Sequence, residues 1–207
     1  MKDEPLKIRS YCSIFNNKVM LNDQLLFESP ETDFSTFIKL AYKKIDTNYP
    51  KFFKMDNLSK LGFLAADILL TQLSKDFGNL NNIALAFSNS ASSLDTDRKH
   101  QNSIMDKENY FPSPAIFVYT LPNICLGEIS IRHKLYSENS FFIFNHFNAG
   151  YLFDYATSLI KTGKADEVLC GWINCDAEDY EAFLYLVSKE GSIAHNKEEI
   201  IKLYTTK

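Results

Sequence analysis

FPSPAIFVYTLPNICLGEISIRHKLYSENSFFIFNHFNAG, residues Phe111 to Gly150, is the stretch whose reading decides the fold. Phe111-Pro112-Ser113-Pro114 is a rigid elbow, because each proline fixes its own backbone torsion. Pro122 suits the first turn of a helix that reaches about Lys134. Ile124, Glu128, Ile131 and Leu135 mark one face of that helix. Gly127 in its middle costs about 1 kcal/mol relative to alanine, which predicts close packing on another element. Ser140–Asn145 is aromatic and β-branched and reads as a strand. Asn148–Thr162 then reads as a helix, with Leu152, Tyr155, Ala156, Leu159 and Ile160 on one side and Gly163 closing it. A strand that runs straight into a helix N-terminus is where α/β proteins place chemistry. Free backbone N–H groups and the helix dipole converge there.

Upstream, Lys7–Ile14 has strand character, and Val19–Phe27 is a pair of apolar runs broken by a hairpin turn at Asn22-Asp23. Asp33 is a candidate cap for a helix through Phe37, Leu40 and Ala41, and Tyr49-Pro50 interrupts that pattern. Asp56–Ser74 is a helix with Leu58, Leu61, Ala65, Ile68, Leu69 and Gln72 on one face, ended by Gly78. Asn82–Phe87 reads as a buried parallel strand. The small polar loop Ser88–Ser93 follows it, either as a ligand loop at a strand's carboxyl end or as the lead-in to a helix cap. Asp95–Lys107 is a charged, solvated helix. Downstream, Glu167–Ile173 is a buried strand, Glu181–Ser188 a second one by its alternation, and Lys197–Tyr204 a terminal helix. Strands alternating with helices, without repeats or linkers, predict one α/β domain.

At 207 residues with 45% hydrophobic and 14% aromatic content, the chain can bury a substantial core. Its net charge is −4 with lysines and acids scattered, so no nucleic-acid surface is indicated. No run has the ~18 apolar residues of a membrane span. MKDEPLKIRS lacks the apolar middle of a secretory signal, so the cytoplasm is the expected location. Cys12, Cys125, Cys170 and Cys175 fall at no zinc spacing and read as buried reduced thiols, so neither metal nor cofactor is expected.

Three segments resemble the N-terminal half of β-ketoacyl-(acyl-carrier-protein) synthases, of the thiolase-like superfamily. They are similar above all to the short proteins of that kind in aryl-polyene and flexirubin gene clusters. MDNLSKLGFLAADILL (Met55–Leu70) is similar to the family's Arg-Met-Asp-x-x-Ser-x-x-Ala helix, with Lys54 where arginine is common. TLPNICLGEISIRHKLYSEN (Thr120–Asn139) is similar to the segment with an Asn, a mid-helix Gly and a Gly-Leu-x-Gly-Pro turn. ATSLIKTGKADEVLCGWIN (Ala156–Asn174) is similar to the helix, Gly-x-Ala-Asp turn and strand after the nucleophile. The resemblance implies a thiolase-like half-fold over residues 1–207, with the family's C-terminal half absent. Its architecture would be a mixed, mostly parallel five-stranded sheet with helices on both faces.

Ungapped counting from Asn123 forward, or from Gly163 back, puts the family's cysteine nucleophile at His146. Imidazole cannot hold an acyl chain as a stable thioester. Phe147 and Asn148 replace the small residues that leave room for that chain in the family. The two histidines of the family's C-terminal half are missing, and His195 cannot replace both. Three readings of His146 stand side by side. It fills the old nucleophile pocket and bonds to the helix start. It lines, with Asn145, Phe147 and Asn148, a pocket for an acyl or pantetheine arm without covalent chemistry. Or it acts as a general acid or base. The resemblance further implies that Phe141, Phe142, Ile143 and Phe144 form a strand pairing across a dimer axis, since left at an edge that run invites aggregation. The partner would be a second copy or a full-length ketosynthase, with an acyl carrier protein as a further partner. The function implied is that of a non-catalytic, chain-length-factor-like accessory of fatty-acid or polyketide-type synthesis. The alternative is a small acyl-transfer or thioester-processing enzyme that uses His146.

Overall fold

The computed structural model describes residues 5–30, 32–77, 82–106, 108 and 110–206. The chain opens with an antiparallel meander, β1 (Lys7–Phe15), β2 (Lys18–Leu21) and β3 (Gln24–Glu28). The expected turn at Asn22-Asp23 has φ of 48° and 65°, and a similar turn at Asn16-Asn17 precedes it. Paired left-handed residues match the twist of a hairpin, and Asn and Asp tolerate them best among non-glycine residues. The Asp33 side chain accepts from Thr36 N at 2.9 Å and starts α1 (Phe34–Lys44), as predicted. Pro50–Lys54 forms a short 3-10 helix, and α2 (Asn57–Phe77) follows it. The predicted stop at Gly78 lies outside the described residues. On α2, Leu58, Leu61, Ala65, Ile68 and Leu69 are buried, whereas Gln72 faces solvent.

The remaining elements are β4 (Ile83–Asn89), α3 (Leu94–Ile104), α4 (Pro114–Val118), α5 (Ile124–His133), β5 (Asn139–Ile143), α6 (Ala149–Lys161), β6 (Glu167–Asp176), β7 (Asp179–Ser188), β8 (Ile193–Ala194) and α7 (Lys197–Thr205). The strands form one mixed sheet in the order β3-β2-β1-β7-β6-β4-β5, with β8 on β1. β5, β4 and β6 are mutually parallel, as expected at the heart of an α/β sheet. The expected five strands become eight among the described residues, because the meander, β7 and β8 extend the parallel centre with antiparallel partners.

Helices cover both faces, and the strand period of two sorts the side chains between them. Ala182, Leu184 and Leu186 of β7 join the core beneath α2 and α5, while Phe183, Tyr185 and Val187 join the core beneath α6 and α7. β4 divides likewise, Ile83, Leu85 and Phe87 against Ala84 and Ala86. A strand buried on both faces reads as an unbroken apolar run, which is why the NIALAF stretch shows no polar alternation.

Two expectations for α5 are corrected. Its buried face is Cys125, Leu126, Glu128 and Ile129, and Ile131 is 65% exposed. The close helix contact is not at Gly127, where a Cβ would meet nothing within 4 Å. It is made by Gly62 of α2, whose Cβ would fall 2.7 Å from Cys125 Sγ and 2.8 Å from Ile173 Cδ1. Gly62→Val is therefore expected to cost about 2–3 kcal/mol through overpacking, read as a lower urea midpoint at unchanged m-value. An unchanged midpoint would show that α2 can move away from α5.

Candidate functional site

The strand β5 ends at Ile143 and α6 begins at Ala149, so five residues turn the chain at the sequence-derived nucleophile position. Phe144 N donates to Asn89 O at 2.9 Å, which holds the turn against the carboxyl end of β4. Asn148 caps α6, its Oδ1 accepting from Tyr151 N at 2.9 Å. Asn145, His146 and Asn148 are exposed and Phe147 is half-buried. Of the three readings of His146, the one that bonds it to the helix start is not what is seen among the described residues; Asn148 makes that bond.

Phe147 points the other way. Its ring lies 4.4 Å from Tyr204, 5.7 Å from Phe183 and 6.4 Å from Trp172. Trp172 Nε1 and Tyr204 OH both donate to Glu181 Oε1, at 2.7 and 2.9 Å, so one carboxylate pins two of the four rings. Burial, and then the bond to Glu181, push the Tyr204 hydroxyl pKa far up and keep it a donor. The aromatic cluster occupies the space directly behind the turn.

No group among the described residues orients His146 for proton transfer. Among the described residues, no hydrogen bond or ion pair reaches its imidazole. The other histidines lie elsewhere. His100 of α3 packs edge-on against Phe117, and His133 Nε2 sits 2.9 Å from Asp67 Oδ1, poorly aligned for a hydrogen bond. His195 is 7% exposed between Phe153 and Tyr185, with neither ring nitrogen bonded among the described residues. Burial lowers its pKa to about 4. The four cysteines are buried and free as expected, and among the described residues no group of three or more His, Cys, Asp or Glu is placed to hold a metal.

The Ser88–Ser93 loop is committed to its own structure. Asn174 Oδ1 accepts from Ser90 N, Ser90 Oγ and Ala91 N at 3.1–3.2 Å, and Asn89 brackets Ser92 from both sides of its amide. An asparagine side chain fills the concavity that a ligand anion could have entered.

β5 is the last strand of the sheet and pairs only with β4 among the described residues, so its outer edge is open. Ile143 is 51% exposed on it. Phe142, Phe144, Tyr151 and Tyr155 form a continuous ring cluster beside that edge, with centroids 4.8–6.1 Å apart. Phe144 follows the strand rather than belonging to it. A second apolar surface runs from Tyr110 to Leu121, where Tyr110, Phe111, Phe117, Val118 and Leu121 all stand exposed.

One feature escaped the sequence reading. Phe34–Lys60 carries six lysines against two acids, in a chain of net charge −4, so the lysines are not scattered. Lys39, Lys43, Lys44, Lys51 and Lys54 are exposed, with Phe53 among them. Tyr42 of α1 stacks on Phe52 and meets Phe53 edge-on, which joins α1 to the 3-10 helix in one surface. Burial, then the nearby charge of Lys39, hold the Lys60 ammonium below its ordinary pKa. Charge counted per segment, rather than per chain, was the available signal.

No family model matches this chain, and no curated protein matches it by sequence. Solved structures do match. "The ishigamide ketosynthase/chain length factor" superposes with a TM-score of 0.64 at 16% identity, over 89% of this chain and 62% of that one. The fold is that of a ketosynthase. A chain of the ketosynthase ApeO in complex with its chain length factor ApeC, from Xenorhabdus doucetiae, gives 0.64 at 12% identity. That match covers 98% of this chain and 91% of that one, so the two chains are similar in length. A type II polyketide synthase ketosynthase complex with its acyl-carrier protein gives 0.61 at 14% identity, over 88% and 62%. The chain therefore spans about 62% of the first and third of these ketosynthase-fold chains. β5, the turn and α6 are one edge of that mixed α/β fold, whose class is the one expected from the sequence. No helix among the described residues is long and apolar enough to cross a membrane.

Proposed function

We propose that this chain is a non-catalytic, chain-length-factor-like subunit that works by pairing with a full-length ketosynthase through β5. The observation that carries this reading is the open, apolar edge of β5 beside a ring cluster that is half-buried and exposed at Tyr151. A strand of this kind left in water is an aggregation hazard, and a partner strand would satisfy its N–H and C=O groups. The exposed apolar stretch from Tyr110 to Leu121 supports a large covered surface as well. The matched ketosynthase/chain-length-factor pairs supply the kind of partner.

The absence of catalysis rests on the turn. A histidine at the nucleophile position cannot form the usual thioester, and among the described residues its imidazole has neither an orienting acid nor a neighbouring base. Phe147 and its three ring neighbours fill the room behind it. The lysine face of α1 and Pro50–Lys54 would receive an acidic acyl carrier protein, with Phe53 and Leu40 as apolar contacts between the charges.

Co-expression with the ketosynthases of its own organism, followed by size-exclusion chromatography with light scattering, tests the pairing. A one-to-one complex is expected, and Ile143→Lys, exposed in the free chain, should break it by placing charge at the buried strand edge. A homodimer sensitive to the same substitution would keep the strand and overturn the partner. Intact-mass spectrometry after incubation with acyl-carrier-protein thioesters tests the chemistry, and neither adduct nor turnover is expected. An adduct or turnover lost in His146→Ala would replace this reading with the acyl-transfer enzyme.

A further inference from the structure

Away from the turn, α5 and α2 assemble a guanidinium that is held in place but only partly used. Arg132 Nε donates to Asp67 Oδ1 at 3.2 Å, and its guanidinium lies over the Tyr49 ring at 5.5 Å. Asp67 is 3% exposed and takes a further hydrogen bond from Thr47 Oγ1 at 3.0 Å. Burial alone would raise the Asp67 pKa, but His133 and then Arg132 outweigh it and hold the carboxyl below its ordinary value. The carboxylate therefore stays charged and keeps the arginine oriented. The guanidinium has five N–H donors and spends one here; its Nη atoms make no hydrogen bond among the described residues.

Arg132 lines a cavity of about 240 Å³ together with Thr47, Asp46 and Gln72, walled on the apolar side by Leu21, Ile45 and Ile68. A planar fork fixed by a buried carboxylate and an aromatic face is pre-organised to grip a planar oxyanion through two parallel hydrogen bonds. Pre-organisation lowers the ordering cost that binding must overcome. The surroundings narrow the ligand further. Asp67 already neutralises much of the arginine charge and Asp46 adds another acid to the lining, so a dianion meets repulsion. Leu21, Ile45 and Ile68 favour an apolar tail next to the charged head.

We infer that this cavity binds a short-chain monocarboxylate, with its carboxylate on the Arg132 Nη atoms and its alkyl chain against Leu21, Ile45 and Ile68. The site is independent of the β5 edge and of the proposed pairing. Titration of the purified full chain with sodium hexanoate, followed by amide chemical shifts, should give saturable changes centred on residues 45–47, 68–72 and 132. The dissociation constant expected for so small a ligand is on the order of 1 mM. Arg132→Lys keeps the charge but removes the fork, and should weaken binding by about tenfold or more. Gln72→Phe, at an exposed rim position, leaves the Arg132–Asp67 pair intact and should weaken binding by crowding the cavity; it decides the matter if Arg132→Lys fails to fold. Inorganic phosphate in a parallel titration should not saturate. Saturation by phosphate with hexanoate silent would overturn the ligand class. No saturation by either, or hexanoate affinity unchanged in Arg132→Lys or Gln72→Phe, would overturn the site.

Discussion

Gly171→Ala is expected to leave little folded protein. Gly171 sits in mid-strand on β6, paired with Phe87 of β4 on one side and Leu184 of β7 on the other. Its φ is +156°, and a Cβ built there would lie 2.0 Å from Phe183 O and 2.9 Å from Leu184 Cα. Both obstacles are backbone, so no rotamer change relieves them. β7 would have to leave β6, and it carries alternating residues of both cores. A loss of about 4 kcal/mol or more follows, among the largest effects a single methyl group can have. Circular dichroism and a thermal melt of the soluble fraction measure it; a melting point within a few degrees of the parent would show that the strands can separate locally.

Acid is expected to weaken the fold through His195. Its imidazole is buried among Phe153 and Tyr185, and its backbone N–H bonds to Leu6 O at 3.1 Å, just before Asn196 caps α7. Burial holds the folded pKa at about 4, against 6.5 when unfolded. The unfolded chain thus binds the proton first, and stability falls as pH drops from 6.5 towards 4, then stops falling on this account. The full loss is about 3 kcal/mol, of which about 2 kcal/mol falls between pH 7 and pH 5. Asp67, whose folded pKa is lowered, also loses stability in acid, and Asp56 and Glu167, with raised values, act oppositely. Comparison with His195→Phe isolates the histidine, since those carboxyls are common to both proteins. The difference between the two urea-unfolding free energies should shift by about 2 kcal/mol over that interval, in favour of the phenylalanine. Parallel profiles would show that the buried ring takes up its proton without penalty.

Local chemistry makes much of this molecule legible in its sequence. Asn22-Asp23 announces a hairpin, Asp33 announces a cap, and Gly163, with φ +70°, ends α6 as its position implies. Each of these is decided within four residues. The misses are of another kind. The empty side of Gly127 and the crowded side of Gly62 look alike in sequence, because only the neighbouring elements distinguish them. β8 is two residues long and exists because it lies beside β1, far away in the chain. α4, hidden in what reads as a proline elbow, begins at Pro114 with Ser113 as its cap. At the site, the strand and the helix on either side of His146 were legible from their patterns, whereas a role for His146 came from the resemblance alone. The lysine face was concealed by averaging charge over the chain. The Arg132 cavity needed three segments brought together, which no linear spacing reveals.

The ring cluster behind the turn has an optical consequence. Trp172 is the single tryptophan of the chain, and its indole touches Phe147, one residue from His146, while sharing Glu181 with Tyr204 of α7. Its emission is therefore a native spectroscopic channel into the β5–α6 turn. Docking of a second chain, entry of an acyl arm or lifting of α7 would each change the polarity around one fluorophore, and each could be followed in real time without attaching a dye.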